Sequence, residues 1–251
     1  MEGPVALVGA DAFLSASTAL DQALLAATGR RRPRVAILPT GAFPDGEAAF
    51  GRVAALGEEH FRALGAEVET VAIRDRAAAD DPAAVQAIGE ADIIYLCGGD
   101  PAWLRRTLLG SAAWLAAEDV HRRGATLVGC SAGAAILGRR QVEVGLRRGW
   151  PVHWAEALGA AGALAILPAY DARPEPVMAL LALRPPDGLP VIGLDRDVAI
   201  IGRSGSWEVH GSGRVTVWQG RRRARHRRGD AFRMPDPAGD GQIGVRQAAD
   251  E

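Results

Sequence analysis

The chain has 251 residues, 48% of them apolar, with 29 basic and 30 acidic side chains and a formal charge of −1. That length fits one large α/β domain or two small ones, and the balanced charge gives no global reason to expect a nucleic-acid partner. No run of 18 uninterrupted apolar residues marks a membrane span, and Met1-Glu2-Gly3-Pro4 lacks the basic and apolar regions of a secretory leader.

Apolar runs alternate with helical patterns from the start. A strand is expected over 5–8 and a helix over 15–27. A second strand over 34–38 closes on Pro39-Thr40-Gly41, and a long helix follows over 47–64. A third strand over 67–73 leads to a short helix over 82–88, with Asp81 placed to cap it. The fourth strand, 93–97, is wholly apolar, as the centre of a parallel sheet requires. Helices over 101–109 and 112–123 precede a fifth strand beginning at Ala125. This order argues for one doubly wound sheet. After about residue 185 the character changes. Short strands over 190–194, 198–201, 207–209 and 214–218 read as a β-meander attached to the same sheet. The expected organisation is a single α/β domain over 1–234 and a poorly ordered tail over 235–251, rich in Gly, Pro, Asp and Gln. The two cysteines, Cys97 and Cys130, each close a buried strand. That suits reduced thiols in a cytoplasmic protein better than a disulfide framework. Lysine is absent and all basic residues are arginine, a compositional bias with no functional reading.

Two strand ends carry the chemistry. Gly129-Cys130-Ser131-Ala132-Gly133 has G-x-S-x-G spacing between an apolar run and a helix-favouring segment. A strand that turns sharply into a helix on small residues projects its central side chain from the end of the sheet, the geometry of a nucleophile elbow. The flanking glycines are required because a Cβ there would meet the neighbouring strands or the helix. Ser131 is therefore the candidate nucleophile. Tyr95-Leu96-Cys97-Gly98-Gly99-Asp100 ends the preceding core strand. Its glycine pair lets an amide approach a bound carbonyl oxygen, so the N–H groups of Gly99 and Ala132 are the candidate oxyanion donors. A tight strand-to-helix turn explains the same glycines without function.

Together, the Gly-Gly-Asp strand end, the helix opening Pro-Ala-Trp-Leu and the strand ending Gly-Cys-Ser-Ala-Gly-Ala resemble the cyanophycinase and dipeptidase E family. The resemblance extends over roughly residues 4 to 218, through Ile37-Leu38-Pro39-Thr40, Ile166-Leu167-Pro168, Val191-Ile192-Gly193-Leu194-Asp195 and Trp207-Glu208-Val209-His210-Gly211-Ser212-Gly213. It implies a three-layer α/β sandwich of the class I glutamine amidotransferase type, with a mainly parallel central sheet. It also implies a serine nucleophile, a histidine base and a small-peptide amide substrate, often with an acidic residue near the scissile bond. It implies no cofactor or metal and is compatible with a homodimer.

The chain departs from this pattern where the base belongs. Aligned on Pro168 and Tyr170-Asp171, the histidine position is Ala169, which has no proton-accepting group. The carboxylate often found after the Gly-Ile-Asp-like segment is also missing, since Arg196 follows Asp195. A serine hydroxyl without a base is a poor nucleophile near neutral pH. Three explanations compete: a non-catalytic member that keeps only binding, a recruited substitute base, or a histidine removed by an engineered change. His153 is the best substitute, in a loop-like aromatic stretch, though a partly buried loop histidine packed against Trp150 and Trp154 is the more ordinary reading. Glu143 follows the elbow helix and could orient a base, with a solvated glutamate the more ordinary reading. His60 and His121 are expected on charged helix surfaces, His210 at solvent, and His226 within the arginine run 221–228. Asp100, Tyr170 and Arg173 are candidate substrate contacts. Asp100 also reads as a helix cap, and Arg173 as a surface side chain. The arginine run lacks interleaved aromatics, so a solvated segment pairing with Asp250-Glu251 is expected rather than a nucleic-acid surface. No zinc-ligand spacing or phosphate-binding lysine loop occurs.

Overall fold

The computed structural model describes residues 2–10, 12–13, 18–147, 150–182, 185–203, 205–234 and 245–246, with backbone alone at 144–152 (where described) and 245–246. In chain order the elements are β1 (Val5–Val8), α1 (Thr18–Ala27), β2 (Arg34–Leu38), α2 (Glu47–Ala63), β3 (Glu67–Thr70), α3 (Pro82–Gly89) and β4 (Ile93–Leu96). Next come α4 (Pro101–Leu108), α5 (Ala112–Arg122), β5 (Thr126–Cys130), α6 (Ala132–Leu137), β6 (Arg140–Arg147), β7 (Trp150–Glu156) and β8 (Ala165–Leu167). The chain continues through α7 (Glu175–Ala182), β9 (Val191–Leu194), β10 (Val198–Arg203), β11 (Ser206–Gly211), β12 (Val215–Gln219), β13 (Arg222–His226), β14 (Ala231–Arg233) and β15 (Val245–Arg246).

The larger sheet has the order β15-β14-β11-β10-β1-β5-β4-β2-β3. From β1 to β3 its neighbours are parallel, and β10, β11, β14 and β15 extend it antiparallel. The wholly apolar strands sit where both faces are covered. Ile94 and Leu96 of β4 and Leu127 of β5 enter one core, while Ile93, Tyr95, Val128 and Cys130 enter the other, beneath α1 and α2. That arrangement explains why these strands read as continuous hydrophobic runs. The helix caps follow the sequence: Asp81, Asp100 and Ser111 accept from the first-turn amides of α3, α4 and α5.

The expected meander is present, but its strands are divided between two sheets. β10 and β11 stay in the large sheet, while β9 and β12 join a second sheet of order β13-β12-β9-β8-β6-β7. Alternation accounts for the split. Ile166, Ile192, Val215 and Val217 pack into the main core, whereas Ala165, Leu167, Val191 and Trp218 face Tyr170 and Met178 in a smaller one. The arginine run is corrected by the structure. Residues 222–226 form β13 against β12, and Arg223 and Arg225 pair with Glu175. Of the tail, all but Val245–Arg246 lies outside the described residues, as does the proposed partner Asp250-Glu251. The start of the helix expected from 15 also lies outside them. Among the described residues no helix is long and apolar enough to cross a membrane, and Cys97 and Cys130 are buried free thiols.

The glycines of the 129–133 turn lock helix to sheet. A Cβ on Gly133 would stand 2.1 Å from the Leu96 carbonyl oxygen, and one on Gly129 would stand 2.6 Å from Gly133. Gly51, by contrast, faces open space on exposed α2. In urea denaturation Gly133→Ala is expected to cost about 2–3 kcal/mol through overpacking. Gly51→Ala should gain about 0.5–1 kcal/mol through helix propensity. Equal effects at the two positions would contradict this packing.

Candidate active site

Ser131 adopts φ 52° and ψ −113°, a conformation that non-glycine residues rarely take. Such strain costs on the order of 1–3 kcal/mol and persists only where the surroundings impose it. Here they do. The Ser131 amide donates to the Val8 carbonyl at 2.9 Å, and the Ser131 carbonyl accepts from Ala135 at 3.0 Å. The turn is thus tied to β1 behind it and to α6 ahead of it. A Cβ on Gly98 would lie 3.3 Å from the Ser131 Cβ and 3.7 Å from its Oγ. The serine side chain therefore stands beside the diglycine, partly exposed, at the carboxyl end of the parallel strands.

Gly99 has φ +130°, and a Cβ there would meet the Gly41 carbonyl oxygen at 2.1 Å, so only glycine fits. The neighbouring Asp100 amide donates to that same Gly41 oxygen at 2.7 Å, which pins the loop to the end of β2. The amides of Gly99 and Ala132 have no hydrogen-bond acceptor among the described residues. α6 has six residues, so free amides, more than a macrodipole, are what a developing oxyanion would meet there.

Ala169 lies beside this turn. Its amide donates to the Gly9 carbonyl at 3.2 Å, one residue beyond the carbonyl that holds Ser131. Consecutive carbonyls of one strand end therefore grip the serine and the position where the resemblance puts the histidine. Ala169 has φ 47° and ψ 46°, a left-handed conformation in which histidine is enriched over most residues.

His153 and Glu143, read separately from the sequence, are brought together. The expected loop is instead the hairpin β6–β7, in which Glu143 lies directly opposite His153. Val142 and Trp154 pack on one face with Tyr170, leaving Glu143 and His153 on the other. There His153 Nε2 lies 2.8 Å from Glu143 Oε2. Arg105 of α4, which sequence reasoning missed, donates to Glu143 Oε1 from Nε at 3.1 Å and Nη2 at 2.9 Å. Burial favours the neutral acid at Glu143, but the bonds from His153 and Arg105 outweigh it and hold the carboxyl below its ordinary range. His153 Nδ1 is buried without a partner, and Ser131 Oγ has no hydrogen bond, among the described residues. β6 runs parallel to β8, so the hairpin ascends toward the same end as the Pro168–Ala169 turn.

The remaining candidates separate. Asp100 is an exposed cap, its Oδ1 accepting from the Trp103 amide at 2.8 Å. Arg173 is exposed, with no ionic partner among the described residues. Tyr170 is corrected from substrate contact to core. It is 4% exposed, its ring occupies the space a Cβ of Gly193 would need, and its hydroxyl accepts from Trp218 Nε1 at 3.0 Å. Two surface histidines are corrected as well. His60 pairs with the fully buried Asp21 at 2.8 Å, and the His121 Nδ1 lies 2.9 Å from the Ala125 carbonyl oxygen. His226 is buried, stacked on Phe232 with ring centroids 4.5 Å apart, and burial lowers its pKa. No local signal announces the His60 pairing, because its partner lies 39 residues away.

Glu143 yields a test of the cluster. A carboxyl held below its unfolded value adds stability above that value and loses it as pH falls through the folded one. Glu143→Gln should therefore lower the urea midpoint at pH 7, and the gap to the parent should close as pH falls below about 4. A gap that persists unchanged under acid would mean the carboxylate is not held by Arg105 and His153.

Known proteins share this architecture. The crystal structure of a peptidase from an acI-B1 Actinobacterium superposes with a TM-score of 0.84 at 26% identity, covering 93% of this chain and 98% of that one. The crystal structure of a putative peptidase E protein from Listeria monocytogenes EGD-e gives a TM-score of 0.62 at 16% identity, covering 84% and 99%, a likeness of fold. The sequence model of peptidase family S51 matches residues 9–209, which contain the Ser131 turn, both of its amide donors and the Ala169 loop. The chain belongs to peptidase family S51.

Proposed function

We propose that this serine-type peptidase of the peptidase E kind hydrolyses an amide bond of a small peptide, with Ser131 as nucleophile. The observation that carries the reading is the strained Ser131 turn, set against Gly98 with two unengaged amides beside it. In the forward step Ser131 Oγ bonds to the substrate carbonyl carbon while its proton passes to a base. The carbonyl oxygen becomes an oxyanion between the Gly99 and Ala132 amides. The base then returns the proton to the leaving amine, and water attacks the acyl-enzyme by the same route. His153 is the base in this reading, with Glu143 holding its Nε2 and leaving Nδ1 to take the serine proton.

A second reading has its own support. Ala169 stands where the family resemblance puts the histidine; its amide is tied to Gly9, next to the residue that holds Ser131, and its backbone is left-handed, which supports a chain that has lost its base. On that reading the chain binds small peptides and cleaves them slowly or not at all. Loss of a base typically leaves about 10³–10⁴-fold catalysis over water from the oxyanion hole and binding.

The two readings part in one experiment. A fluorophosphonate should label the parent chain at Ser131, Ser131→Ala should abolish labelling, and His153→Ala should slow it by about 100-fold. Slow labelling indifferent to His153 would remove it as base. No labelling, with measurable affinity for a dipeptide, would favour the binding protein. Ala169→His should then raise dipeptide hydrolysis by about 100-fold or more. Failure of that variant to gain activity while remaining folded would mean the Ala169 turn does not face the nucleophile.

A further inference from the structure

A cavity of about 430 Å³ opens at the carboxyl end of β1, on the side away from β5. Its floor includes Val8, the residue whose carbonyl holds the Ser131 amide, but its lining does not include Ser131. One wall is the Ala19–Ala23 face of α1, with Leu20 between, which is small and apolar. Its lining also includes Asp197, His210 and Arg228. Asp197 and Arg228 line the same space, yet neither has an ionic partner among the described residues, each other included.

Asp197 and Arg228 sit on hydrogen-bonded turns, and His210 on β11. The Asp197 carbonyl accepts from the Ser212 and Gly213 amides, both at 2.9 Å, which leaves its carboxylate unused by the turn. Arg228 lies in a tight turn closed by the Asp230-to-Arg227 and Gly229-to-Val209 amide bonds. His210 Nε2 stands 3.7 Å from Glu208. Arg196 frames the cavity while tied to Asp171 through its amide at 2.9 Å and Nε at 3.1 Å, so it is less free to bind. Two exposed opposite charges, unpaired among the described residues and lining one cavity with the apolar α1 residues, suit a small molecule that carries both charges and an apolar branch. Cavities of this size are in the range of small-ligand sites.

We propose that this cavity is a binding site, separate from Ser131, for a free α-amino acid with an apolar side chain. The carboxylate meets Arg228 and His210, the ammonium meets Asp197, and the side chain lies on Ala19, Leu20 and Ala23 of α1. A peptidase releases such molecules, so the inference rests on the proposed function for the ligand's source, though not for its binding. Because Val8 joins the cavity floor to the Ser131 turn, occupancy and nucleophile geometry share one strand end.

L-leucine is the probe, titrated calorimetrically into the parent chain, with isovalerate and isoamylamine as analogues lacking one charge. Saturable binding is expected, at least ten-fold weaker for either analogue and for Arg228→Gln or Asp197→Asn, since each removes one charge-assisted contact. Ala23→Trp, at an exposed helix position, should block the site by filling it. Binding should survive Ser131→Ala and fluorophosphonate treatment. If leucine binds but binding is lost with Ser131 altered, the ligand sits at the nucleophile and the separate site is overturned. Undetectable leucine binding to the parent, or unchanged affinity in Arg228→Gln and Asp197→Asn, would overturn it as well. Leucine binding in a chain that shows neither labelling nor hydrolysis would leave this site standing and remove the peptidase reading alone.

Discussion

The site depends on one strand end. The carbonyls of Val8 and Gly9 accept from successive partners, Ser131 and Ala169, and tie both to the end of β1. Gly9 itself has no room for a side chain, since a Cβ would lie 1.9 Å from the Asp195 carbonyl oxygen. Three segments far apart in sequence therefore meet at β1: the elbow after β5, the turn after β8 and the turn after β9. The strain at Ser131 is affordable only because glycine at 98, 129 and 133 lets backbone take the place of side chains around it. A methyl group at Gly129 or Gly133 would clash with backbone at 2.6 or 2.1 Å, and one at Gly98 would crowd the Ser131 Cβ at 3.3 Å.

Much of this was legible in the residues. The parallel core strands announced themselves as unbroken apolar runs because both of their faces are covered. The elbow was readable because its glycines are demanded by contacts with the nearest strand and helix, which local spacing encodes. What escaped depends on distant partners. His60 looks like a surface residue until Asp21 is brought beneath it. The arginine run looks like a solvated tail until β12 supplies a strand to pair with and Glu175 a counter-charge. The hairpin β6–β7 left a trace that could have been used: Val142, Val144 and Leu146 alternate with Gln141 and Glu143. Tyr170 reads as a substrate contact from its place after Pro168, while its ring turns into the smaller core.

Ala169 is where the family resemblance would put the histidine. Its backbone is left-handed, and the residue there carries only a methyl group. Arg105, Glu143 and His153 form a charged cluster that the folded chain assembles from separate elements, and it carries the alternative candidate base. Arg105 matters because a carboxylate shared with a guanidinium draws less strongly on the imidazole than one facing it alone. On either proposed reading the Gly99 and Ala132 amides are the electrostatic part of the site, and the readings differ in where the proton goes.

The geometry at Ser131 is the claim on which both functional readings stand, and a crystal structure of the chain treated with a peptidyl boronic acid tests it most directly. The account predicts Ser131 at positive φ, boron bonded to its Oγ, and a boron-bound oxygen within hydrogen-bonding distance of the Gly99 and Ala132 amides. Ser131 at an ordinary negative φ, with its hydroxyl turned into the core and residues 98–99 away from it, would contradict the account whether or not the reagent had bound.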